Sequence, residues 1–220
     1  MQPPWKVARL HIALQAAILA IVWITAGPAS ARIKSAASNH AVGAKMDYCK
    51  TCHGSSGQGF RGYYPIPRLA GQQTEYSINQ LKAFIERRRK NNIMFNVAHD
   101  LDSGMLTALV KNFNDLNPNP LGGAPKQLMP VGKKIYEEGI SDSTVPPCSA
   151  CHGADAKGKE QIPRLAGQLH DYIFNKLTSW SKERGQDSKH PDISAVMEPI
   201  AHSLTEAQIR AVAAYVSYLK

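Results

Sequence analysis

Cys49-Lys50-Thr51-Cys52-His53 recurs later in the chain as Cys148-Ser149-Ala150-Cys151-His152. Each copy has the form C-x-x-C-H, the pattern of covalent haem attachment. Two thiols three residues apart reach the two vinyl groups of one porphyrin and close two thioethers. The histidine that follows is held under the iron as its proximal ligand. The chain has four cysteines and the two copies use all of them, so none is left for a disulfide. Other uses of the spacing fit less well. A thioredoxin-type dithiol needs a βαβ context, which neither flank suggests, and a four-cysteine zinc site would leave both trailing histidines without a role. The motifs therefore predict two covalent haem c groups, held by Cys49, Cys52, Cys148 and Cys151, with His53 and His152 on the irons.

Working outward, the flanks repeat as well. Ile66-Pro67-Arg68-Leu69-Ala70-Gly71-Gln72 is identical to Ile162-Pro163-Arg164-Leu165-Ala166-Gly167-Gln168, Tyr76 matches Tyr172, and Leu81 matches Leu177. Identity of this length at corresponding places indicates internal duplication. Glycine-rich turns follow each motif (Gly54, Gly57 and Gly59; Gly153 and Gly158), and the first turn also carries Tyr63 and Tyr64. Glu75 to Arg88 and Asp171 to Ser181 have the periodicity of amphipathic helices. Thr205-Glu206-Ala207-Gln208 is a capping box ahead of the apolar stripe Ile209, Val212, Ala213, Val216 and Leu219. The matching helix of the first half, Gly104 to Phe113, starts more weakly because of its glycine. Short helices are expected at Val42 to Tyr48 and Val131 to Glu137, where Gly43 and Gly132 would permit close approach of another helix. Strand signals are sparse, so the fold class is all-α. The expected organisation is a signal peptide at 1–31, a first haem domain at 32–123 that begins with a mobile polar stretch (32–41), and a second at 124–220, joined through the Pro-, Gly- and Asn-rich segment Asn114 to Pro130. With about 90 residues each, such halves have small cores, and the haem is expected to complete them.

The sixth iron ligand must come from later in each half. Met94 and Met197 hold equivalent positions before the last helices, and Met/His ligation raises the potential. His99 and His202 are also paired by the repeat and stay open as rivals. Met46, Met105 and Met129 lack methionine counterparts and read as packing. Pro67 and Pro163 are expected to offer carbonyl oxygens to the second nitrogen of each proximal histidine, and Arg68 and Arg164 suit haem propionates. The run Arg87-Arg88-Arg89-Lys90 reads equally as a docking patch for an acidic partner or as a solvated helix end whose cations favour the helix dipole.

The formal charge is +9. Lys6 and Arg9, the apolar run Ile12 to Ala26, and Ala29-Ser30-Ala31 have the order of a secretory signal peptide cut after Ala31, which predicts a periplasmic protein. An uncleaved anchor, with membrane association, is the alternative. Residues 32–123 carry 12 basic and 6 acidic side chains, net +6, whereas 124–220 carry 12 and 11, net +1. Export and haem together direct this charge to protein partners rather than nucleic acid.

With these residues placed, the chain resembles the cytochrome c4 family. The resemblance spans nearly all of residues 42 to 220. It is carried by both C-x-x-C-H motifs, both Ile-Pro-Arg-Leu-Ala-Gly-Gln segments, and the run from Met197 through Leu204-Thr205 to Ala213-Ala214-Tyr215. It implies two tandem class I cytochrome c domains, each wrapped around one covalent haem c, with the haems facing each other across an interdomain interface. It also implies His/Met iron at His53 with Met94 and at His152 with Met197. The function it implies is single-electron transfer, with a quinol–cytochrome c reductase or a periplasmic dehydrogenase as donor and a haem–copper oxidase as acceptor. The first half departs from the pattern at Asp102-Ser103-Gly104 and at Asn112, which stands where the second half has Tyr215. The rival functions are a dihaem redox enzyme (a peroxidase or a sulfur-compound oxidoreductase), which needs an iron with an exchangeable position, and a fixed cytochrome subunit of a membrane respiratory complex.

Overall fold

A computed structural model describes residues 28–184 and 193–220. The chain divides into a short unit, residues 1–44, and a large unit, residues 45–220, which holds both haem motifs. The expected n-region and apolar run of a signal peptide, Lys6 to Ala26, lie outside the described residues. Among the described residues, no helix is long and apolar enough to cross a membrane.

The first helix, α1 (Pro28–His53), runs 26 residues without a break. The stretch expected to be a mobile N-terminus is therefore helical. The reason is compositional: Ala29, Ala31, Ala36, Ala37 and Ala41 are strong helix formers, Pro28 is tolerated at a first turn, and no other breaker precedes Gly43. His53 is the last residue of α1, so one helix delivers both cysteines and the histidine of the first motif.

The remainder of the first half contains α2 (Thr74–Ile85), α3 (Asn92–His99) and α4 (Ser103–Asn114). The start of α4 is better made than its glycine suggested, because the Asp102 side chain accepts a hydrogen bond from the Met105 N–H at 2.8 Å. Leu106, Leu109, Val110 and Phe113 line the buried face of α4. The second half contains α5 (Met129–Glu138), α6 (Ser149–His152), α7 (His170–Thr178), α8 (Trp180–Glu183), α9 (Met197–Ser203) and α10 (Glu206–Tyr218). The capping box at Thr205 and Gln208 is formed at the start of α10. Among the described residues there is no β-strand, only isolated bridges.

The two motifs sit on different supports. In the second half the chain leaves α5 at Gly139, whose φ of 75° is open to glycine, and a Cβ there would meet the Val145 carbonyl oxygen at 2.5 Å. Pro146 and Pro147 follow, so the second motif rides on the single turn α6 rather than on a long helix. That turn is held by α5, where the fully buried Tyr136 donates its hydroxyl to the Gly153 carbonyl at 2.5 Å. Helices α5 and α10 are pressed together at Gly132: an added Cβ would lie 2.0 Å from the Ala211 carbonyl oxygen. At Gly43, the sequence counterpart, a Cβ would meet nothing within 4 Å, so close packing explains only the second of the two glycines.

Candidate haem sites

His53 and His152 are both buried, at 7 and 6 % exposure. His53 Nδ1 lies 2.8 Å from the Pro67 carbonyl oxygen, and His152 Nδ1 lies 2.9 Å from that of Pro163. A carbonyl can only accept, so Nδ1 carries the proton and donates. In the neutral ring this leaves the lone pair on Nε2, the atom an iron needs. Burial lowers the pKa of both histidines, outweighing the opposite pull of the proline carbonyls, and so favours that neutral form.

The proline carbonyls are aimed by the turns that precede them. The Gly59 N–H donates to the His53 carbonyl at 2.8 Å, and the Gly158 N–H donates to that of His152 at 2.9 Å. Both glycines have positive φ, and a Cβ would lie 2.8 Å from the Ile66 oxygen at Gly59 and 2.2 Å from the Ile162 oxygen at Gly158. Each turn then closes as a small hairpin. The first pairs Phe60 with Ile66 and the second pairs Lys159 with Ile162. The longer first tip carries Tyr63 and Tyr64, which are 90 and 80 % exposed.

The four thiols follow one pattern in both halves: Cys49 and Cys148 are partly buried, while Cys52 and Cys151 are exposed. Burial raises the pKa of Cys49, and it pushes Cys148 up to about 11. Protonated thiols are poor nucleophiles, so thioether formation at these positions calls for dedicated maturation chemistry.

Met94 lies in the first turn of α3, where its N–H donates to the Asn91 side chain at 2.9 Å, and Met197 opens α9. Both are half-buried. Their rivals are exposed: His99 stacks on Phe95, and His202 Nε2 is engaged with Ser181 Oγ at 2.6 Å.

Arg68 and Arg164 are not surface residues; they are 3 and 8 % exposed. Arg68 Nε donates to the Ala70 carbonyl and Arg164 Nε to that of Ala166, each at 2.9 Å. The Nη2 atoms of both are buried with no hydrogen-bond partner among the described residues. Burial, together with the charge of Arg164, pulls Arg68 down to about 10. Buried cations with unused donors are incomplete without an anion. This supply of donors, the neutral histidines with free Nε2 and the paired thiols together fit covalent haem c with its propionates.

The same segments tie the halves together. Gln168 Oε1 accepts from the Arg68 N–H at 2.9 Å and its Nε2 donates to the Arg68 carbonyl at 3.0 Å. Gln72 does the same to Arg164, at 2.8 and 3.1 Å. The sequence marked the prolines and arginines of the heptapeptide for roles at the haem, but nothing in it marked the glutamines as the bonds of the seam. The arginine run is divided. Arg87 lies over the Phe95 ring and Arg88 pairs with Glu86, whereas Arg89 is buried and reaches Tyr172 of the other half at 2.6 Å. Nothing in a run of like charges marks which member turns inward.

Comparison with known proteins gives three kinds of likeness. The cytochrome c family profile matches residues 42–117 and again 131–220. Cytochrome c-552 of Acidithiobacillus ferridurans is 37 % identical over 202 residues, covering 89 % of this chain and 84 % of that protein. A thiosulfate dehydrogenase electron acceptor of Thiomonas intermedia is 32 % identical over 178 residues, 77 % of each chain. Among solved structures, a cytochrome c4 of Acidithiobacillus ferrooxidans superposes with a TM-score of 0.67 at 37 % identity, covering 78 % of this chain and 98 % of that one.

Proposed function

The chain belongs to the cytochrome c family, in its two-domain cytochrome c4 branch, and from that premise we propose that it is a periplasmic two-haem carrier of single electrons between a dehydrogenase and a respiratory acceptor. The observation that carries this reading is the twice-built histidine: His53 and His152, each buried, each with its Nδ1 proton donated to a proline carbonyl, each directly after the second cysteine of its pair in helical register. Cys49 and Cys52 would hold the first haem, with His53 and Met94 as the ligands offered to its iron. Cys148 and Cys151 would hold the second, with His152 and Met197. When bound, the haems supply a one-electron iron couple. The chain's own part is to hold it. Pro67 and Pro163 orient the two imidazoles, the half-buried Met94 and Met197 would supply the second ligand to each iron, and Arg68 and Arg164 would hold the propionate charge at the seam. With methionine on both irons no position is left for substrate, so the chain carries electrons and does not itself transform a substrate.

On the donor side, the likeness to a thiosulfate dehydrogenase electron acceptor favours a dehydrogenase of that class over a quinol–cytochrome c reductase. The acceptor is a haem–copper oxidase. The net charge of +6 on residues 32–123 against +1 on the remainder supports docking of an acidic partner on the first half, and such a rate falls with ionic strength.

The test is a visible and near-infrared spectrum of the oxidised holoprotein with a redox titration on the same sample. Two low-spin haems should show the weak thioether-to-iron charge-transfer band at full intensity, and Met94→Ala and Met197→Ala should each remove half of it. A high-spin haem in the wild type would instead favour a dihaem enzyme. A low-spin spectrum without the band would move the ligation to His99 and His202.

A further inference from the structure

The hairpins that follow the two haem motifs have unlike tips. In the second half Lys159 pairs with Ile162, and the short tip is charged and self-paired: Lys159 lies 3.5 Å from Glu160, and Lys157 lies 3.5 Å from Asp155. In the first half Phe60 and Ile66 exchange backbone hydrogen bonds at 2.9 and 3.0 Å, closing a loop over residues 61–65. That tip is aromatic. Tyr63 and Tyr64 are 90 and 80 % exposed, and Phe60 is 57 % exposed. The hairpin itself does not require these rings, since its counterpart closes without any. A cluster of exposed apolar rings marks an interaction site.

The rings are held rather than loose. Those of Tyr63 and Tyr64 stand edge to face with centroids 4.8 Å apart. The Phe60 ring lies over Gly62, where a Cβ would come within 2.8 Å of it. Arg61 lies across Gly123: its Nη2 donates to the Gly123 carbonyl at 3.4 Å, and an added Cβ would fall 1.8 Å from its Nη1. The tip is thereby joined to the segment between the halves. There the Gly123 N–H donates to the Tyr218 hydroxyl at 3.2 Å, Lys126 Nζ stands 5.9 Å from the Tyr218 ring centre, and Leu121 is 42 % exposed. The side chains of this surface carry one sign of charge. Residues 48–74 contain Lys50, Arg61 and Arg68, residues 116–136 contain Lys126, Lys133 and Lys134, and neither stretch contains an aspartate or glutamate. Preorganised tyrosines beside cations are the make-up of an interface centre, where ring burial supplies affinity and charge steers the approach.

We propose that the aromatic tip, residues 60–64, with Leu121 and Lys126 beside it, is the docking surface for the protein that donates electrons to this chain, and that the donor presents an apolar hollow rimmed by carboxylates. The inference rests on the carrier reading. A second copy of the chain would bring the same positive surface and be repelled, and one hairpin tip offers little apolar area to a bilayer. The tip is also well placed for a donor. Its hairpin runs on to Pro67, whose carbonyl accepts the His53 Nδ1 proton at 2.8 Å.

The experiment measures binding of the holoprotein to a purified thiosulfate dehydrogenase, the donor class of that reading, by calorimetry at low and at physiological salt. The variants are Tyr63→Ser combined with Tyr64→Ser, Arg61→Gln, and Lys159→Gln on the second tip as the control. The double variant should raise Kd at least about tenfold. Arg61→Gln should flatten the fall of affinity with salt, and Lys159→Gln should bind as wild type does. The double variant should melt with the wild type, because both rings are exposed, so its loss of binding is not a loss of fold. A double variant that binds as tightly as wild type would overturn the proposal and leave the carrier reading standing. Equal weakening by Lys159→Gln would reduce the effect to general charge and overturn it as well. A wild type that does not bind the dehydrogenase would strike the donor reading and the proposal with it. Phosphatidylglycerol vesicles and sedimentation velocity complete the test: wild type that binds the vesicles, or dimerises, through the same two tyrosines would assign the surface to a bilayer or to a second copy and overturn the proposal.

Discussion

An imidazole that must stay neutral when folded makes stability depend on pH. His53 and His152 are buried, and burial lowers their pKa below the ordinary 6.5. Unfolding that takes the rings off the iron lets both bind a proton once pH falls through about 6.5, whereas in the folded chain they resist it. Stability contributed by these groups is therefore fully present above that value and is lost as pH falls toward the folded pKa. Two such histidines give a slope of up to about 2.7 kcal/mol per pH unit. Thermal melts of the holoprotein from about pH 7.5 to 5.5 should show a steadily falling Tm, above the range where carboxylates titrate. A Tm that is flat across the window would mean that the iron keeps both rings unprotonated in the unfolded chain as well. At this scale the sequence was generous where chemistry fixes spacing and silent where tertiary contact decides. Two thiols and a histidine announce a haem because no other arrangement uses them all. Arg89 announces nothing, because its inward turn follows from a residue 83 positions away.

Helices show the same division. The cap of α10 was legible because Thr205 and Gln208 form a local pattern complete within four residues. The length of α1 was not, because a polar, alanine-rich stretch has no apolar stripe to betray it, and the break after α5 hangs on Gly139 and a carbonyl six residues on. The two helical glycines give a direct test. Gly132→Ala would drive a Cβ to 2.0 Å from the Ala211 carbonyl oxygen, and backbone cannot yield as a flexible side chain does. The expected cost is about 2–3 kcal/mol, read as a lowered denaturation midpoint. Gly43→Ala meets no obstacle and should stabilise by up to about 1 kcal/mol through helix propensity alone. Equal effects at the two sites would contradict the packing difference between the halves.

Identical segments that meet across an approximate two-fold axis must each fit the surface they present to the other, and this is a physical reason for seven consecutive identities in the two halves. The seam they form accounts for the large unit being one body rather than two beads on the Asn114 to Pro130 segment. Its strength is concentrated in two side chains. Gln168 satisfies the N–H and the carbonyl of Arg68 and also the N–H of Leu169, and Gln72 satisfies the N–H and carbonyl of Arg164 and the N–H of Gln73. Gln168→Ala therefore strands several buried backbone groups at once, at a cost of about 2–4 kcal/mol. The loss falls on the contact between the halves and leaves His152 and its proline carbonyl untouched. Calorimetry of the holoprotein should then replace one cooperative transition by two, because each haem-filled half keeps its own core while the term coupling them is gone. Gln72→Ala should do the same from the other side. The double variant should cost less than the sum of the two, since the first break already frees the surfaces that the second glutamine holds. A single transition at the wild-type temperature in either variant would locate the cohesion of the molecule elsewhere, in the Arg89–Tyr172 and Lys90–Glu183 bonds that cross the same seam.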